Sequence, residues 1–452
     1  MSKIVKDKQN LMLLICLGLV AVSYLFILSF FRYEDTVSFT AWSATFWDSL
    51  FSGNLGQYYT YAQSNLRGAL HDTTSIEYLT FLPWIIWNFP VWALHPLSKN
   101  PDVTGMKCII WSKLFMVACL VLLCIYVYKI MMKITNDDFT FSLASVVMVA
   151  SSLEMIDSIA YAGQDEVVYL ATLVIMLHQY IIGKKKSAFV FALLSVTFNP
   201  LMIIPVMVIL VVVEKRILFI LMHAVAYVLP TVLFKMVYSH DAVYQAAQPS
   251  YNNLGIFQAM MNTGTIGTTV GATPIAFVVL VLLVFAAFMG EVSEEKRAEI
   301  LIYYFAVSFF ALDFLTSALW YRYCMYVPFF VLLIGVSKEN RNMKVFLLEV
   351  LFVSRFIASL SNYYNLSFAH ISSIGSRLLG DVSGTVVDIT GLTYDTMLYV
   401  LRPVIVAIGI ILLVICHRKF DKEIKFSIPW KVVVYAGSLA GLVLCAWIVK
   451  AA

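Results

Sequence analysis

The stretch Leu11–Phe31, LMLLICLGLVAVSYLFILSFF, contains no charged residue and leads directly into Arg32-Tyr33-Glu34-Asp35. An α-helix needs about 20 apolar residues to cross a bilayer. The preceding segment, MSKIVKDK, has the basic character of a signal peptide, but the apolar run is too long for one and lacks a small-residue cleavage site. We therefore expect a retained membrane anchor that delivers two carboxylates to the membrane surface.

The rest of the chain has the same apolar character. Of its 452 residues, 61% are apolar and 13% are charged, against about 25% charged in a soluble domain. Because apolar segments recur as far as Val449, we predict an all-α polytopic membrane protein. The net charge of +4 lies mostly in short loops, where it sets orientation, so we predict no nucleic-acid partner. The seven cysteines form no CxxC pair, which indicates neither a disulfide framework nor a zinc site.

Clusters of Lys and Arg in short loops mark the cytoplasmic ends of membrane helices. Here these clusters are Lys3/Lys6/Lys8, Lys129/Lys133, Lys184–Lys186, Lys215/Arg216, Lys296/Arg297, Lys338/Arg341/Lys344 and Arg418/Lys419/Lys422/Lys425. They predict thirteen crossings, with the N-terminus inside and the C-terminus outside: 11–31, 106–132, 140–158, 165–182, 187–199, 201–214, 217–238, 272–290, 299–319, 324–337, 343–361, 398–416 and 429–449.

The segment from Glu77 to His95 is also apolar, but a crossing there would put the Lys129/Lys133 cluster outside. Its prolines and tryptophans favour a re-entrant or interfacial helix. The pair 187–214 has only 28 residues for its two crossings, so these short helices must be shielded from lipid by neighbouring helices. The predicted outer face then carries the loop 32–105, the turn 161–166, and the loops 239–271 and 362–397.

Acids on this outer face are the first candidates for chemistry. Asp35, or its neighbour Glu34, could act as a general base, but acids are also common at helix N-termini, where they stabilise the helix dipole. The same two interpretations apply to Asp165 and Glu166, which follow Gln164 and begin a helix. With Glu154 and Asp157 they form an acidic turn, so a divalent metal is an alternative to metal-free chemistry.

The cationic candidates lie on the same predicted face. Arg322, between Tyr321 and Tyr323, could bind a lipid phosphate or could be an interfacial arginine flanked by aromatic residues. Lys235 and His240 map nearby and could assist in phosphate binding. Deeper in the predicted crossings, Asp313 and Arg355 suggest an interhelical ion pair, because an unpaired charge in a membrane is costly.

In their order along the chain, these elements resemble the integral-membrane glycosyltransferases of the C-type (GT-C) fold, which use polyprenyl-phosphate sugars. The resemblance covers residues 1–340: the acids Glu34-Asp35 in the first outer loop, the stretch Ser52–Tyr59, the Pro-rich segment 78–90, Gly163-Gln164, Asn199-Pro200, and Trp320–Tyr323 followed by Pro328. It implies a catalytic module at 1–340 with its outer loop at 32–105. Residues 341–452 would be variable C-terminal helices with the outer loop 362–397.

The resemblance implies an inverting transfer of a sugar from a polyprenyl-phosphate donor to a lipid- or wall-linked glycan on the outer leaflet. Asp35 would be the base, or Glu34 in its place, and Asp165 would match an acid of the second outer turn. Arg322 would hold the phosphate, and no cofactor would be required. The expected location is a bacterial cytoplasmic membrane. The alternatives are a flippase or transporter of lipid-linked glycans, which should place polar groups near mid-membrane, and a glycan polymerase or ligase.

Overall fold

The computed structural model describes residues 8–28, 34–70, 79–96, 102–156, 158–159, 165–247, 265–266, 273–290, 292–315, 324–365, 394–417 and 426–451. This part of the chain is helical apart from one short antiparallel pair of strands, β1 (Thr265–Ile266) and β2 (Thr273–Pro274). The predicted all-α class is therefore confirmed.

The helices of the first half are α1 (Lys8–Leu28), α2 (Glu34–Phe51), α3 (Tyr58–Ser64), α4 (Leu82–Trp87), α5 (Phe89–Leu94), α6 (Met106–Ile134), α7 (Phe139–Ser151), α8 (Leu153–Met155), α9 (Glu166–Ile181), α10 (Lys185–Phe198) and α11 (Ile203–Val213). Those of the second half are α12 (Ile217–Val237), α13 (Ile275–Met289), α14 (Arg297–Leu315), α15 (Val327–Gly335), α16 (Arg341–Asn365), α17 (Tyr394–Ile415) and α18 (Trp430–Ala451).

Each of the thirteen segments predicted to cross coincides with a helix, and the one substantial difference is at 140–158. There the helix stops at Ser151, because Ser152 adopts an extended conformation and its hydroxyl accepts a hydrogen bond from the Met155 amide at 3.3 Å. Serine competes with helical backbone in this way and favours caps. The described part of the segment 77–95 contains two short helices, 82–87 and 89–94, broken at Asn88, as its prolines predict.

Two helices are long and apolar enough to cross a membrane, within Met106–Ile134 and Ile217–His240, and eight shorter apolar helices accompany them in the described residues. Helix α10 has 14 residues and α11 has 11, which gives them lengths of roughly 21 and 16 Å. Both are shorter than the roughly 30 Å hydrocarbon core. Helix α11 is almost wholly buried, so neighbouring helices do shield it.

The core is built by packing distant parts of the sequence together. Helix α1 packs against α7 and α18, α6 packs between α7 and α9, and α16 packs against α17 and α18. The C-terminal helices therefore share one hydrophobic core with the first helix.

The helix termini that carry the basic clusters meet at one end of the bundle, which we call the basic end. The start of α1 contacts the start of α7, where the Thr140 hydroxyl donates to Asn10 Oδ1 at 2.9 Å. The start of α16 contacts the same place, where Arg341 pairs with Asp138 at 3.0 Å. Three further contacts join helix termini at this end: Trp430 with Asn342, Lys133 with the Ile181 carbonyl, and Lys215 with the Ala287 carbonyl.

The opposite end of the bundle carries the start of α2, the chain between α7 and α9, the end of α12 and the residues before α15. At this end the residues after α12 contact α3, and the residues before α15 contact those after α7.

Candidate functional site

The break at Ser152 turns the chain at the opposite end so that Glu154 points into the protein. Its side chain is buried, with the residue 3% exposed. The Tyr326 hydroxyl donates to Glu154 Oε1 at 3.0 Å, and the Arg355 guanidinium lies over the Tyr326 ring, 4.9 Å from its centroid. A buried acid, a phenol and a guanidinium from three separate elements therefore form one polar cluster, which we call the Glu154 cluster.

Two further contacts join the same elements. The Cys324 thiol donates to the Ser158 hydroxyl at 3.4 Å, and the Tyr169 hydroxyl donates to Met325 Sδ at 3.1 Å. The residues just before α15 thus lie against both the acidic turn and the first turns of α9. This contact was not predicted, because it depends on which faces of α9 and α15 meet.

Asp165 and Glu166 stand at the start of α9, as predicted. Asp165 occupies the N-cap position, but its side chain accepts no capping hydrogen bond from the helix. Glu166 is 1% exposed, on the same helix as Tyr169, which reaches Met325. A buried acid at this point weakens the interpretation that these residues only cap a surface helix. Gln164 and Asp157 lie outside the described residues.

The predicted phosphate site, Arg322 with Tyr321 and Tyr323, lies outside the described residues. The nearest described residue is Cys324, which contacts Ser158 of the acidic turn. Asp313 belongs to α14, but its side chain lies outside the part of the structure that is described, so the Asp313–Arg355 ion pair stays a prediction.

Glu34 and Asp35 form the first turn of α2, and the Asp35 side chain is partly buried. This position suits both a base at the membrane surface and an acid that stabilises a helix N-terminus, so both interpretations stand. Five residues further on, the Thr40 hydroxyl donates to Ser112 Oγ of α6 at 2.9 Å. The side chain of Asn88 donates to the same atom at 2.7 Å. These buried hydrogen bonds fix α2 and the broken segment 82–94 against the start of α6.

The described residues of the predicted outer loop 32–105 form a folded layer. Arg67 is 3% exposed and its guanidinium pairs with Asp48 Oδ2 at 2.7 Å and also donates to the His95 carbonyl. The Trp92 indole donates to Asp48 Oδ1 at 2.8 Å. The bound carboxylate of Asp48 therefore joins α2, α5 and the turn at Arg67.

Asp241 fastens this layer to the end of α12. The residue is 1% exposed, and its Oδ2 accepts hydrogen bonds from the amides of Tyr59 and Thr60 at 3.0 and 3.2 Å. Its Oδ1 accepts from the Thr60 hydroxyl at 2.8 Å and from the amides of Val243 and Tyr244 at 3.0 and 3.2 Å. One carboxylate thus caps α3 and the helical turn that begins at 242. We call this contact the Asp241 clasp.

Lys235 and His240 are exposed beside the clasp, on α12 and on the turn that follows it. The turn that carries His240 contacts the loop 32–105, since the Tyr238 hydroxyl donates to the Leu55 carbonyl at 2.9 Å. The assignment of Lys235 and His240 to phosphate binding remains a prediction.

Lys113 is a candidate that sequence reasoning missed. It lies in the second turn of α6, is fully buried, and directly follows Ser112, which holds α2 and Asn88. Helix α6 packs against both α2, which carries Asp35, and α9, which begins after Asp165. Helix α6 also carries Lys107, Lys129 and Lys133 near its ends, but Lys113 lies within the apolar run, where a charge is costly and suggests a functional position. That signal was present in the sequence.

Metal ligation has no support in the residues that the structure describes, where no three His, Cys, Asp or Glu side chains come together. Because Asp157 falls outside them, the metal alternative is neither strengthened nor removed.

Comparisons of the chain with protein-family models, with curated proteins and with solved structures find no match. The resemblance to the GT-C glycosyltransferases therefore rests on the short motifs of the sequence and on their order.

Proposed function

We propose that this chain is a multi-pass enzyme of a bacterial cytoplasmic membrane, with thirteen crossings, its basic end inside and its opposite end outside. Large apolar side chains point outward along whole helices, including Ile15, Leu19 and Val22 of α1 and Val281 and Phe285 of α13. Soluble monomers rarely expose contiguous apolar patches larger than a few hundred Å². The grouping of the basic helix termini supports the orientation.

The proposed reaction moves a sugar from a polyprenyl-phosphate donor to a lipid- or wall-linked glycan at the outer leaflet, by the GT-C mechanism. The observation that carries this proposal is that buried charged side chains concentrate at the opposite end. Among the described residues, the buried charged ones at this end are Arg67, Lys113, Glu154, Glu166, Asp241 and Arg355, whereas Lys344 is buried at the basic end. Such an arrangement favours chemistry at one face over a transport path near mid-membrane.

In this mechanism the acceptor hydroxyl attacks the anomeric carbon while the bond from that carbon to the phosphate oxygen breaks. The hydroxyl proton goes to Asp35, or to Glu34 in its place, and polyprenyl phosphate leaves with the bonding electrons. Attack from the face opposite the leaving group inverts the configuration. Arg322 stabilises the phosphate charge as it develops, with Lys235 or His240 as assisting cations. Asp165 and Glu166 would orient the sugar or the acceptor.

The test uses the full-length protein in proteoliposomes with polyprenyl-phosphate sugars labelled in the sugar, and with extracted membrane glycolipids as acceptors. We expect Asp35→Asn to lower the rate of label transfer by about 10²- to 10⁴-fold, the usual contribution of a general base. Glu34→Gln tests the neighbouring acid. The matched control is Asp137→Asn, which changes an exposed acid at the basic end and should leave the rate unchanged.

If wild-type protein transfers label and both Asp35→Asn and Glu34→Gln retain its full rate, the assignment of the base is wrong. If wild-type protein moves labelled donor across the bilayer and makes no glycosylated product, the chain is a transporter.

A further inference from the structure

A cavity of about 450 Å³ opens at the basic end between α9, α10, α11 and α12. Its walls are apolar and include Phe189, Val190, Leu210 and Phe219. At its rim lie the cationic side chains of Lys185, Lys186 and Arg216. The cavity is distant from the Glu154 cluster and has no part in the proposed reaction.

The charges at this rim are unbalanced. Lys184, Lys185 and Lys186 make no ion pair within 4.0 Å with any described side chain. The one acid that lines the cavity, Glu214, is already held by Arg216 through two hydrogen bonds of 2.7 Å. Because Glu214 is paired with Arg216, the positive charges of Lys185 and Lys186 are left in excess around an apolar cavity. An anion is the complementary ligand.

The surface that continues from the cavity is apolar. Leu218, Met222 and Val225 on α12 are 67%, 58% and 67% exposed, and their spacing places them on one face of the helix. A ligand with an anionic head and a hydrocarbon tail would satisfy both features. Basic pockets between membrane helices on the cytoplasmic side bind acidic lipid headgroups by this chemistry.

We propose that this cavity binds the phosphate of an anionic phospholipid of the inner leaflet, with an acyl chain along α12. Lys185 and Lys186 act as point charges on the phosphate oxygens, and the Arg216 guanidinium, stacked 3.8 Å over the Phe219 ring, closes the outer side. The inference rests on the membrane embedding proposed above, although not on the transfer reaction.

The experiment reconstitutes the full-length protein in phosphatidylcholine bilayers and measures its association with spin-labelled phosphatidylglycerol relative to spin-labelled phosphatidylcholine. Each lysine near an anionic lipid surface contributes about a fivefold factor, so Lys185→Gln with Lys186→Gln should lower the preference for phosphatidylglycerol about 25-fold. The matched control is Lys296→Gln with Lys338→Gln, which removes the same charge from exposed positions at the same end. The control should retain the wild-type preference.

Equal loss in both double variants would overturn the proposal in favour of a general surface potential, and so would full retention in Lys185→Gln with Lys186→Gln. Soluble glycerol 3-phosphate added in excess should leave the lipid signal unchanged. Displacement would assign the cavity to a free phosphate compound instead. Alkaline extraction of the same membranes reports separately on embedding, so a chain that stays in the membrane but shows no lipid preference contradicts this inference alone.

Discussion

The two ends of the helix bundle are built in different ways. At the basic end most charged side chains are exposed, and several of their contacts are to helix-terminal carbonyls, such as Lys215 to Ala287 and Lys133 to Ile181. At the opposite end several charged residues are buried and held by more than one partner, as the Asp241 clasp and the Arg67–Asp48 pair show. The contrast is one of degree, because Lys344 at the basic end is also buried and donates to the Ser337 hydroxyl.

This difference has a functional meaning. Positive charge near a membrane sets orientation wherever it lies within the loop, so it tolerates substitution. Buried polar groups must be satisfied, because an unsatisfied one costs about 1–3 kcal/mol. Repeated burial of charged groups at one end is what the proposed site at that end would require. Substitutions at the opposite end should therefore change the stability of the protein more than substitutions at a control position or at the basic end.

The largest effect is expected at the clasp. Asp241→Ala removes the acceptor for four amides and a hydroxyl and uncaps two helices, and each lost cap costs about 0.5–2 kcal/mol. We expect the free energy of unfolding to fall by about 2–4 kcal/mol. Denaturant unfolding of the purified protein in detergent measures it. Asp241→Asn keeps one carbonyl acceptor and should lose clearly less. Equal stability of wild type and Asp241→Ala would show that the Asp241 clasp does not stabilise the fold.

A smaller loss of stability is expected for a substitution on α18, at the point where this helix packs against Ser151 at the end of α7. A Cβ on Gly441 would lie 2.5 Å from the Ser151 carbonyl oxygen, which is backbone and cannot rotate away. Gly441→Ala should therefore destabilise the protein by about 1–3 kcal/mol, as overpacking usually does. Gly18 on α1 is the control, since a Cβ there meets nothing within 4 Å. Gly18→Ala should be neutral or stabilising in thermal unfolding. The reverse ranking would show that the packing at Ser151 is looser than described.

The smallest effect is expected at the basic end. Hydrogen bonds from the Arg216 side chain lower the pKa of Glu214 from 4.5 to about 2. Because the folded-state pKa is depressed, the pair stabilises the folded protein above about pH 4.5, and this contribution is lost as the pH falls towards 2. At pH 7, Glu214→Gln should lower the unfolding midpoint only slightly, since ion pairs at the surface contribute little to stability. The variant should also show a shallower loss of stability between pH 4.5 and 2 than wild type. If the variant and the wild type lose stability equally between pH 4.5 and 2, the lowered pKa of Glu214 is contradicted.

Much of the fold follows from the sequence because two signals are local. Apolar runs of sufficient length define each helix, and basic loops define its direction. Both depend on a few adjacent residues; the helical class agrees with the structure, and the direction of each crossing stays a prediction. The break at Ser152 was missed because the residues around it are apolar enough to continue a helix, and only the capping hydroxyl interrupts it.

The site was less predictable. Asp165 and Glu166 were proposed because acids at a predicted helix start are conspicuous, and the structure does place them at a helix start; Glu154 was noted for its charge alone. Its pairing with Tyr326 depends on the contact between elements 172 residues apart, which no local pattern encodes. Arg67 and Asp241 were missed for the same reason, since each appears to be an ordinary loop charge until its partners are known. Lys113 was available from the sequence as a charge within the apolar run of α6, away from the lysines near its ends.

The central claim is that the two ends of the bundle lie on opposite sides of a membrane. Labelling of intact bacterial cells with a membrane-impermeant maleimide tests it most directly. In a variant without native cysteines, Asn54→Cys places a thiol at the exposed opposite end and Lys186→Cys places one at the exposed basic end. We predict that the thiol at position 54 reacts in intact cells and that the thiol at position 186 reacts only after the membrane is permeabilised. Equal labelling of both positions in intact cells, or the reverse pattern, would contradict the account.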